Sequence, residues 1–534
     1  MEPTQPVSSL DELIKQRREK LKKARENGVN PFPTTFAVTH TANAVRLLCE
    51  PLSAEGQVSE EVAVAGRLMT RRDMGKAAFA HLQDRSGKIQ LYLRKDELGD
   101  AAYDLFKNQV DLGDILGVTG MPFKTKTGEP SIRVKTCHLL SKALRPPPEK
   151  FHGMTDVEVR YRRREVDLFS NEEARTRFWL RRKIVTSLRE VLDKDGFIEV
   201  ETPMMQPVPG GAAAKPFITH HETLDMDLYM RVAPELYLKR LLVGGLERVY
   251  EIGRAFRNEG IDTRHNPEFT ILEAYQAYTD FQGMRFLTEK IIDAAAKTVI
   301  EKTWPTPEKG SLRVDVGPMS LGPELSEGNK ILFPYRGRTF SLYASSYPGG
   351  HFPWLSMGEL FKEHLGLDYR ALCRDNNWKE AAKKAGVSIE GNPPDHKFFD
   401  ALFDQKILPH LPAVAFVHGY PAVFSPLAKC APESPDVAER FELFICGDEV
   451  ANAFSEQNDP DVQRKHFIEQ ARQRQAGDEE AMPADEEFVI ALEHGMPPAG
   501  GLGIGVDRLT MILTGTESIR EVILFPLLRP EKNA

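Results

Sequence analysis

The segment 251–278, EIGRAFRNEGIDTRHNPEFTILEAYQAY, concentrates charged and aromatic residues between two apolar stretches. Its pattern predicts a strand, a polar loop and a second strand. Guanidinium groups make bidentate contacts to phosphate oxygens, so the loop is suited to a polyphosphate. A charged hairpin turn in solvent is the alternative, and for the loop alone it is the more common case. The loop carries Arg257, Glu259, Arg264 and His265.

The second strand of this segment has a polar face. The two-residue period of a strand places its alternate residues on one side of a sheet. That side would combine an aromatic ring, a carboxylate and a phenol, which a purely structural strand rarely does. The residues concerned are Phe269, Ile271, Glu273 and Tyr275.

A second segment, 440–459, reads RFELFICGDEVANAFSEQND. Gly447-Asp448 predicts a hairpin turn, and Asn452, Phe454 and Glu456 alternate on one face of the strand that follows it.

The same hairpin contains two carboxylates that could bind a metal ion. A two-residue turn would put Glu442 and Glu449 on a common face, where they could hold a magnesium ion that bridges phosphates. Both would then face away from Glu456, so a single site requires a bulge or a longer loop. Solvated carboxylates at a sheet edge are the alternative.

The third segment, GGLGIGVDRLTMIL at 500–513, places glycines before an apolar helix with Arg508 in its first turns. Glycine permits close approach of a ligand or of a neighbouring strand, and tight strand-to-helix packing alone is the commoner reason. The spacing does not fit G-x-G-x-x-G, and the chain has no G-x-x-x-x-G-K-[ST]. The common nucleotide-binding folds are therefore poor explanations.

The elements that must position these segments belong to a chain of 534 residues, which suggests roughly two to four domains. With 41% hydrophobic and 28% charged residues, the composition is typical of soluble globular proteins. The net charge of -8 argues against a wholly basic nucleic-acid binder. No apolar run reaches about 18 residues, and the five cysteines form no C-x-x-C pair, so we expect neither a membrane span nor a zinc ribbon.

Patterning divides the chain into an N-terminal and a larger C-terminal part. Residues 10–26 predict a basic amphipathic helix, either a solvated face or a contact for phosphates. From Glu61 to about Ala143, short alternating runs broken by glycines predict a small barrel of OB type, whose surface binds single-stranded nucleic acid by stacking. A Greek-key barrel without a ligand is the alternative.

The C-terminal part follows a proline spacer, Arg145–Gly153. Ser170 to Glu173 reads as a capping box that starts a helix ending near Gly196, and Phe197–Thr202 predicts a short strand. The remainder predicts mostly strands, which favours an α+β domain around an antiparallel sheet. Further helices are predicted near Arg285–Lys302 and Trp378–Ala385.

These segments resemble motifs 2 and 3 of class II aminoacyl-tRNA synthetases, through FRNEG and RHNPEFT in one and GLGIGVDR in the other. The Ser170 helix with GFIEVETPMM resembles motif 1, the dimer-forming element. GRLMTRRDMGKAAF, LYMRVAPELYLKRLLVGG, SPLAK and ILFPLLRP are similar to bacterial-type lysyl-tRNA synthetases. The resemblance covers nearly the whole chain except roughly Met319–Phe352 and the extreme termini.

The resemblance implies an α+β architecture, with an N-terminal OB-fold β-barrel and a class II antiparallel-sheet catalytic domain. The implied segments are a basic helical extension at 1–60, an anticodon-binding barrel at 61–145, a linker at 146–170 and the catalytic domain at 171–534. Within the last, motif 1 would cover about 171–205, motif 2 about 251–278, an insertion about 319–352 and motif 3 about 500–530.

The implied activity activates L-lysine with ATP to lysyl-adenylate and transfers the lysyl group to the 3' end of tRNA(Lys). The enzyme would use Mg2+, form a homodimer through motif 1, have no membrane association and work in the cytoplasm. Three alternatives stay open. They are a tRNA-binding paralogue without activity, a relative that lysylates proteins, and a side activity that makes dinucleotide polyphosphates.

The resemblance also assigns residues. For ATP, Arg257 would contact the α-phosphate and the lysine carboxylate, and Phe269 and Arg508 would enclose the adenine. ATP binding would be completed by Glu259, His265 and Asn266, and Mg2+ would be held by Glu442 and Glu449. Gly211 and Glu235 would bind the α-amino group, Asn452 the carboxylate, Glu273, Tyr275 and Glu456 the ε-ammonium, and Phe454 the aliphatic stem. Phe79, Gln90 and Glu129 would read the anticodon, although without the resemblance Phe79 is more simply a core residue.

The acidic residues at this end of the predicted site bear on which amino acid it binds. Carboxylates that converge on a buried point are stable only when a cation joins them. If no lysine side chain of the protein lies nearby, the converging Glu273 and Glu456 call for a cationic substrate. Aspartate would be repelled, which argues against the related aspartyl and asparaginyl enzymes.

Overall fold

The computed structural model describes residues 9–148, 156–300, 324–325, 331–391, 393–431 and 433–531. The described chain forms two compact units, which meet in sequence at Asp156 and Val157. Residues 1–8, most of the predicted spacer Arg145–Gly153, and residues 319–323 and 326–330 of the predicted insertion Met319–Phe352 lie outside the described residues. In the described part of the chain, no helix is long and apolar enough to cross a membrane.

The first unit is a closed five-stranded barrel with strand order β1-β2-β3-β5-β4. Alternate residues of each strand point inward, and Val64, Leu82, Leu91 and Val118 are fully buried. The predicted OB-fold barrel is confirmed. The elements are α1 Ser9–Glu26, α2 Ala42–Cys49, β1 Val62–Asp73, β2 Ala77–Gln83, β3 Lys88–Arg94, α3 Lys95–Leu98, α4 Asp100–Asn108, β4 Ile115–Lys124 and β5 Pro130–Ser141.

The second unit is built from helices and several sheets. Its helices are α5 Val157–Arg162, α6 Arg164–Ser170, α7 Glu172–Lys194, α8 Glu235–Val243, α9 Phe281–Ile300, α10 Met357–Leu365, α11 Tyr369–Asp375, α12 Trp378–Lys384, α13 Asp395–Lys406, α14 Pro460–Gln475, α15 Glu486–Glu493, α16 Val506–Thr514 and α17 Ile519–Val522. Its strands are β6 Ile198–Glu199, β7 Met205–Gln206, β8 Ile218–His221, β9 Met226–Met230, β10 Arg248–Phe256, β11 Glu268–Ala277, β12 Glu324–Leu325, β13 Ile331–Tyr335, β14 Arg338–Phe340, β15 Trp354–Ser356, β16 Val414–His418, β17 Cys430–Ala431, β18 Ser434–Ala438, β19 Arg440–Ile445, β20 Asp448–Ser455 and β21 Ala499–Gly505.

The central element of this unit is an eight-stranded sheet with order β15-β16-β19-β20-β21-β11-β10-β6. Its five inner pairings are antiparallel, and only the two edge strands β15 and β6 pair in parallel. One face packs on α7, α9 and α16 through a large apolar cluster that includes Ile184, Ile291 and Leu509. The predicted α+β class with an antiparallel catalytic sheet is confirmed.

The strand register aligns polar residues in rows across the other face. Glu273 on β11 pairs with Gly503 on β21, which pairs with Asn452 on β20, which pairs with Glu442 on β19. The neighbouring row, two residues along each strand, contains Tyr275, Gly501, Phe454 and Arg440. Because paired residues point to the same face, segments far apart in sequence contribute side chains to one surface.

The hairpin of β19 and β20 shows on which face of the sheet Glu442, Glu449 and Asn452 lie. The turn residues are Cys446 and Gly447, both with positive φ, so the predicted Gly447-Asp448 turn is wrong by one residue. A bulge leaves Val450 unpaired, because Leu443 pairs with Ala451 while Phe444 pairs with Glu449. Glu449 pairs with Phe444 and so shares a face with Glu442, and the extra residue brings Asn452 and Phe454 onto that same face, as a shared site requires.

Several predicted boundaries differ from the structure. The N-cap of α7 is Asn171, whose side chain accepts hydrogen bonds from the amides of Glu173 and Ala174, whereas Ser170 Oγ donates to Val166. The capping box from Ser170 is therefore wrong by one position. The predicted strand Phe197–Thr202 is reduced to Ile198–Glu199. The predicted linker 146–170 contains α5 and α6.

Candidate active site

A cavity of about 1010 Å3 opens over the polar rows of the central sheet. Its wall includes every residue predicted to bind ATP, lysine or Mg2+ except Glu456, which lies fully buried. Strands β11, β19, β20 and β21 form its floor, and α8, α13 and the loop between β10 and β11 contribute its sides. The three motifs singled out from sequence therefore meet in one place.

At one end of the cavity, Arg257 lies over the ring of Phe269, with its guanidinium carbon 5.1 Å from the ring centre. Asn266 is held by a 2.6 Å hydrogen bond from its amide nitrogen to the carbonyl of Glu268. Arg257 Nε and Asn266 Oδ1 are both buried, and neither has a hydrogen-bond partner among the described residues. A ligand that supplies an acceptor and a donor would satisfy both.

Arg508 and His265 meet at the same end. His265 Nδ1 lies 2.9 Å from Asp262 Oδ2, and Arg508 Nη2 lies 3.1 Å from His265 Nε2. Because arginine can only donate, Nε2 accepts and Nδ1 carries the proton given to Asp262. Arg508 also donates to the Glu449 carbonyl at 2.8 Å, so its guanidinium is fixed at the cavity wall. Glu259 lies in the same loop with an exposed side chain.

A buried aspartate that the sequence reasoning missed positions this end. Asp507, one residue before Arg508, accepts a 2.7 Å hydrogen bond from the amide of Thr270 and pairs with Arg181 at 2.6 Å. Arg181 in turn donates to Thr270 Oγ1 at 3.0 Å. The three residues join α16, β11 and α7. The available signal was an acidic residue directly before Arg508 at the start of a mostly apolar helix.

The two candidate metal ligands differ in environment. Glu442 accepts hydrogen bonds from Tyr420 at 2.8 Å and from Arg440 at 2.5 Å. Burial, and next the charge of Glu449, raise the pKa of Glu442 to about 7. Glu449 is partly exposed and lies 3.6 Å from Arg508 Nη1. Among the described residues, no group of three or more histidine, cysteine or acidic side chains is arranged to hold a metal.

The opposite end of the cavity is acidic. The hydroxyl of Tyr275 donates to Glu273 Oε2 at 3.0 Å. Burial raises the pKa of Glu273 to about 8, with a further contribution from the charge of Glu235. Gly501 leaves room for the side chains of Glu456 and Tyr275, since a Cβ at position 501 would lie 1.9 Å from Glu456 Oε1 and 2.6 Å from the Tyr275 ring. The need for glycine at 501 thus comes from a side chain.

A lysine of the protein occupies the acidic end. Lys239 is fully buried on α8, 2.7 Å from Glu235 Oε1, and it forms an ion pair with Glu456. Its ammonium lies 5.4 Å from the centre of the Phe454 ring. The premise that no protein lysine lies near the converging carboxylates is therefore wrong. The sequence did contain a signal for the Glu235–Lys239 pair, because the two residues are four positions apart and share a helix face.

The remaining predicted contacts of the amino acid also lie at this end. Gly211 has a φ of +89°, and a Cβ there would lie 3.0 Å from the Glu235 Cβ, so the loop approaches α8 closely. Asn452 Oδ1 accepts a 3.1 Å hydrogen bond from Arg440 Nε. The Asn452 amide group is thereby oriented, with its nitrogen left to donate.

The barrel unit has a separate polar and aromatic surface. Phe79 is half-buried and stacks on Tyr92, with ring centres 4.7 Å apart, so its interpretation as a core residue is wrong. Gln90 accepts a 2.8 Å hydrogen bond from Ser131, and Glu129 is exposed in the loop before β5. Sequence reasoning missed Tyr92 and Arg133, which extend the surface and both contact the buried ring of Phe123.

Comparisons with known proteins agree on both units. Residues 156–529 match the family described as tRNA synthetases class II (D, K and N), and residues 62–140 match the OB-fold nucleic acid binding domain. The chain is 49% identical over 523 residues to a lysine–tRNA ligase of Carboxydothermus hydrogenoformans, covering 98% of this chain and 99% of the relative. It is 46% identical over 522 residues to the lysine–tRNA ligase of Bacillus subtilis, covering 97% and 98%.

Proposed function

The chain belongs to the lysine–tRNA ligases of class II, and from this membership we propose how its residues activate lysine with ATP and charge tRNA(Lys). The reaction needs no protein nucleophile. The lysine carboxylate attacks the α-phosphate of ATP and pyrophosphate leaves. The 3'-terminal hydroxyl of tRNA then takes the lysyl group and AMP leaves. Catalysis therefore depends on alignment and on stabilisation of charge.

We assign the ATP to the end of the cavity that contains Arg257 and Arg508. Arg257 would bind the α-phosphate and stabilise the charge that develops there, and the base would lie between Phe269 and Arg508. Glu259, His265 and Asn266 would complete the contacts to ATP. The support is the fixed guanidinium of Arg508 and the unsatisfied Arg257 Nε and Asn266 Oδ1, which a nucleotide would pair.

The acidic end would take the two ammonium groups of lysine. Glu235, Glu273 and Glu456 supply three carboxylates and Lys239 one ammonium, so the ionised group carries two excess negative charges. A ligand with two ammonium groups neutralises this excess, whereas aspartate would not. This charge count is the observation that carries the amino-acid assignment.

Within this end, Glu235 and Gly211 would bind the α-amino group, and Glu273, Tyr275 and Glu456 the ε-ammonium. Phe454 would contact the stem. The Asn452 nitrogen, left free to donate by the Arg440 contact, is suited to the substrate carboxylate.

The family uses ATP, and we propose that Mg2+ is held by Glu442 and Glu449. Carboxylate oxygens are the protein ligands that Mg2+ prefers, and two of them with ATP phosphates form a usual set. Burial, and next the charge of Glu449, raise the pKa of Glu442, and a bound cation would oppose this rise. When bound, the ion would neutralise charge on the phosphate oxygens.

We propose that tRNA contacts the barrel through Phe79, Gln90 and Glu129. Stacking on Phe79 and Tyr92 suits unpaired anticodon bases. We further propose a homodimer through motif 1, because large apolar side chains on β6 and on the segment that follows it, up to the turn after β8, are exposed and a second copy would cover them. They are Ile198, Met204, Met205, Ile218 and Leu224. A cytoplasmic location stays a prediction.

The alternatives are less well supported. A paralogue without activity would be expected to lack Arg257, Arg508 or the carboxylates Glu442 and Glu449, and all four are present. A protein-lysylating relative would resemble the catalytic domain alone, whereas residues 62–140 match the nucleic-acid-binding barrel.

Lysine-dependent exchange of pyrophosphate into ATP tests the proposal. We expect exchange with lysine and Mg2+, little with ornithine and none with aspartate or asparagine. The variant Glu456→Gln, which keeps the size of the side chain but removes a carboxylate, should lose most of the lysine response. Folded enzyme that shows no exchange with any amino acid would contradict the proposed activation step.

Lysine binding should depend on pH. Ionised Glu273 is needed to pair with the ε-ammonium, and its pKa near 8 means that the empty site holds a proton at neutral pH. Between pH 6 and 7 the affinity should therefore rise about tenfold, with release of about one proton per lysine bound. Calorimetry in two buffers of different ionisation enthalpy measures that proton. Glu273→Gln should remove the proton release, and an unchanged release in this variant would assign it to another group.

A further inference from the structure

Lys239 lies between the two carboxylates that bind opposite ends of the substrate in the proposed function. Its ammonium contacts Glu235 at 2.7 Å and pairs with Glu456, and no part of its side chain is exposed. It also lies 3.5 Å from the carbonyl of Leu427, which completes an enclosure of acceptors. A buried charge held this closely cannot move without leaving a carboxylate unpaired.

Titratable side chains lie on each side of the Lys239 ammonium. Burial raises the pKa of Glu235 and of Glu456, and Lys239 opposes that rise in both. Burial would lower the pKa of Lys239, but the two carboxylates raise it overall, so it stays charged. The other groups that act on this cluster are Glu273 and Tyr275 from β11 and Arg440 from β19.

We propose that Lys239 is a positioning residue for lysine recognition: its ammonium holds the Glu235 and Glu456 carboxylates ionised and at a fixed spacing before the substrate arrives. The inference rests on the proposed lysine-binding roles of those two residues. With lysine bound, three ammonium groups face three carboxylates, and the buried cluster is neutral. Lys239 thereby links the α-amino end of the site to the ε-ammonium end.

The test compares pH profiles of lysine-dependent pyrophosphate exchange. In Lys239→Met the two carboxylates lose their permanent counter-ion, so their pKa values rise. The KM for lysine should increase about tenfold or more at pH 7, as expected for a pKa rise of one unit or more. The difference should narrow as the pH is raised toward 9, while the KM for ATP stays near its original value.

Three further variants make the result decisive. Lys239→Arg keeps the charge and should keep the original pH profile, even if its larger head group raises KM. If Lys239→Met fails to fold, Lys239→Gln serves instead, because it can donate hydrogen bonds but carries no charge, and it should show the shifted profile. Arg240→Met removes an exposed cation from the next position of α8 and should change nothing.

A loss of lysine affinity that is equal at every pH, or a shifted profile in Lys239→Arg, would overturn the role of the charge. Failure of the wild-type enzyme to respond to lysine would instead contradict the proposed function. The two outcomes are therefore distinguishable.

Discussion

Replacing Arg257 by glutamine should lower the rate of lysine-dependent pyrophosphate exchange by about 100- to 1000-fold, the usual cost of losing one charge-stabilising donor. Arg257 is the only cationic side chain that the proposed arrangement brings to both the α-phosphate and the lysine carboxylate. Its guanidinium lies over the ring of Phe269, and a glutamine amide in its place supplies neither the charge nor the two parallel donors.

Separate values of kcat and of the KM for ATP distinguish an effect on the chemical step from an effect on ATP binding. Because the charge on the α-phosphate increases as the carboxylate attacks, most of the loss should appear in kcat and less in the KM for ATP. Arg254→Gln is the matched control, since Arg254 lies three residues earlier, is partly exposed and pairs loosely with Glu268 at 3.4 Å. Similar losses in both variants would mean that the effect comes from the strand and not from contact with ATP.

Much of the site could be predicted because ligand-binding residue types occur at the two-residue spacing of a strand within short segments. The face of β11 that carries Phe269, Glu273 and Tyr275 follows from strand periodicity alone, and the structure places all three on the cavity wall. The need for a bulge between Glu442 and Asn452 was also predictable from parity, and the bulge lies at Val450. Its position was not, because a two-residue turn centred on Cys446 and Gly447 reads almost the same as one centred one residue later.

The parts that sequence could not supply depend on contacts between distant segments. Lys239 is one turn from Glu235 on a helix that the strand-dominated prediction did not include, so its meeting with Glu456 could not be anticipated. The same holds for Asp507, whose partners Arg181 and Thr270 come from two other motifs. Each is a buried charge, and the partner of a buried charge is set by the tertiary fold.

The helices α13 and α14 show a similar limit. They were not predicted, because between the recognisable motifs only the local periodicity of apolar residues indicates secondary structure. Their apolar positions become meaningful once their partners are known. Phe398 and Leu402 of α13 belong to one apolar cluster with Val417 of β16, and Phe467 of α14 belongs to another with Leu236 of α8. Tertiary packing decides such segments more than propensity does.

Gly501→Ala should raise the KM for lysine by about 10- to 100-fold, which corresponds to an overpacking cost of about 1–3 kcal/mol at a site that cannot relax. The added Cβ would lie 1.9 Å from Glu456 Oε1 and 2.6 Å from the Tyr275 ring. Gly501 is paired on both sides, with Phe454 and Tyr275, so its backbone is fixed in the middle of the sheet. The carboxylate of Glu456 must therefore shift from the position in which it pairs with Lys239.

Gly503→Ala provides a matched control for this result. Gly503 lies two residues along the same strand and on the same face, but a Cβ there meets its nearest neighbour, Ile271, at 3.7 Å, which is an ordinary contact. We expect a smaller change in KM for Gly503→Ala, and a KM for ATP close to that of the wild type in both variants. Thermal melts show whether either protein is unfolded. A folded Gly501→Ala enzyme with an unchanged KM for lysine would mean that Glu456 does not bind the substrate, because its displacement would then have no consequence for recognition.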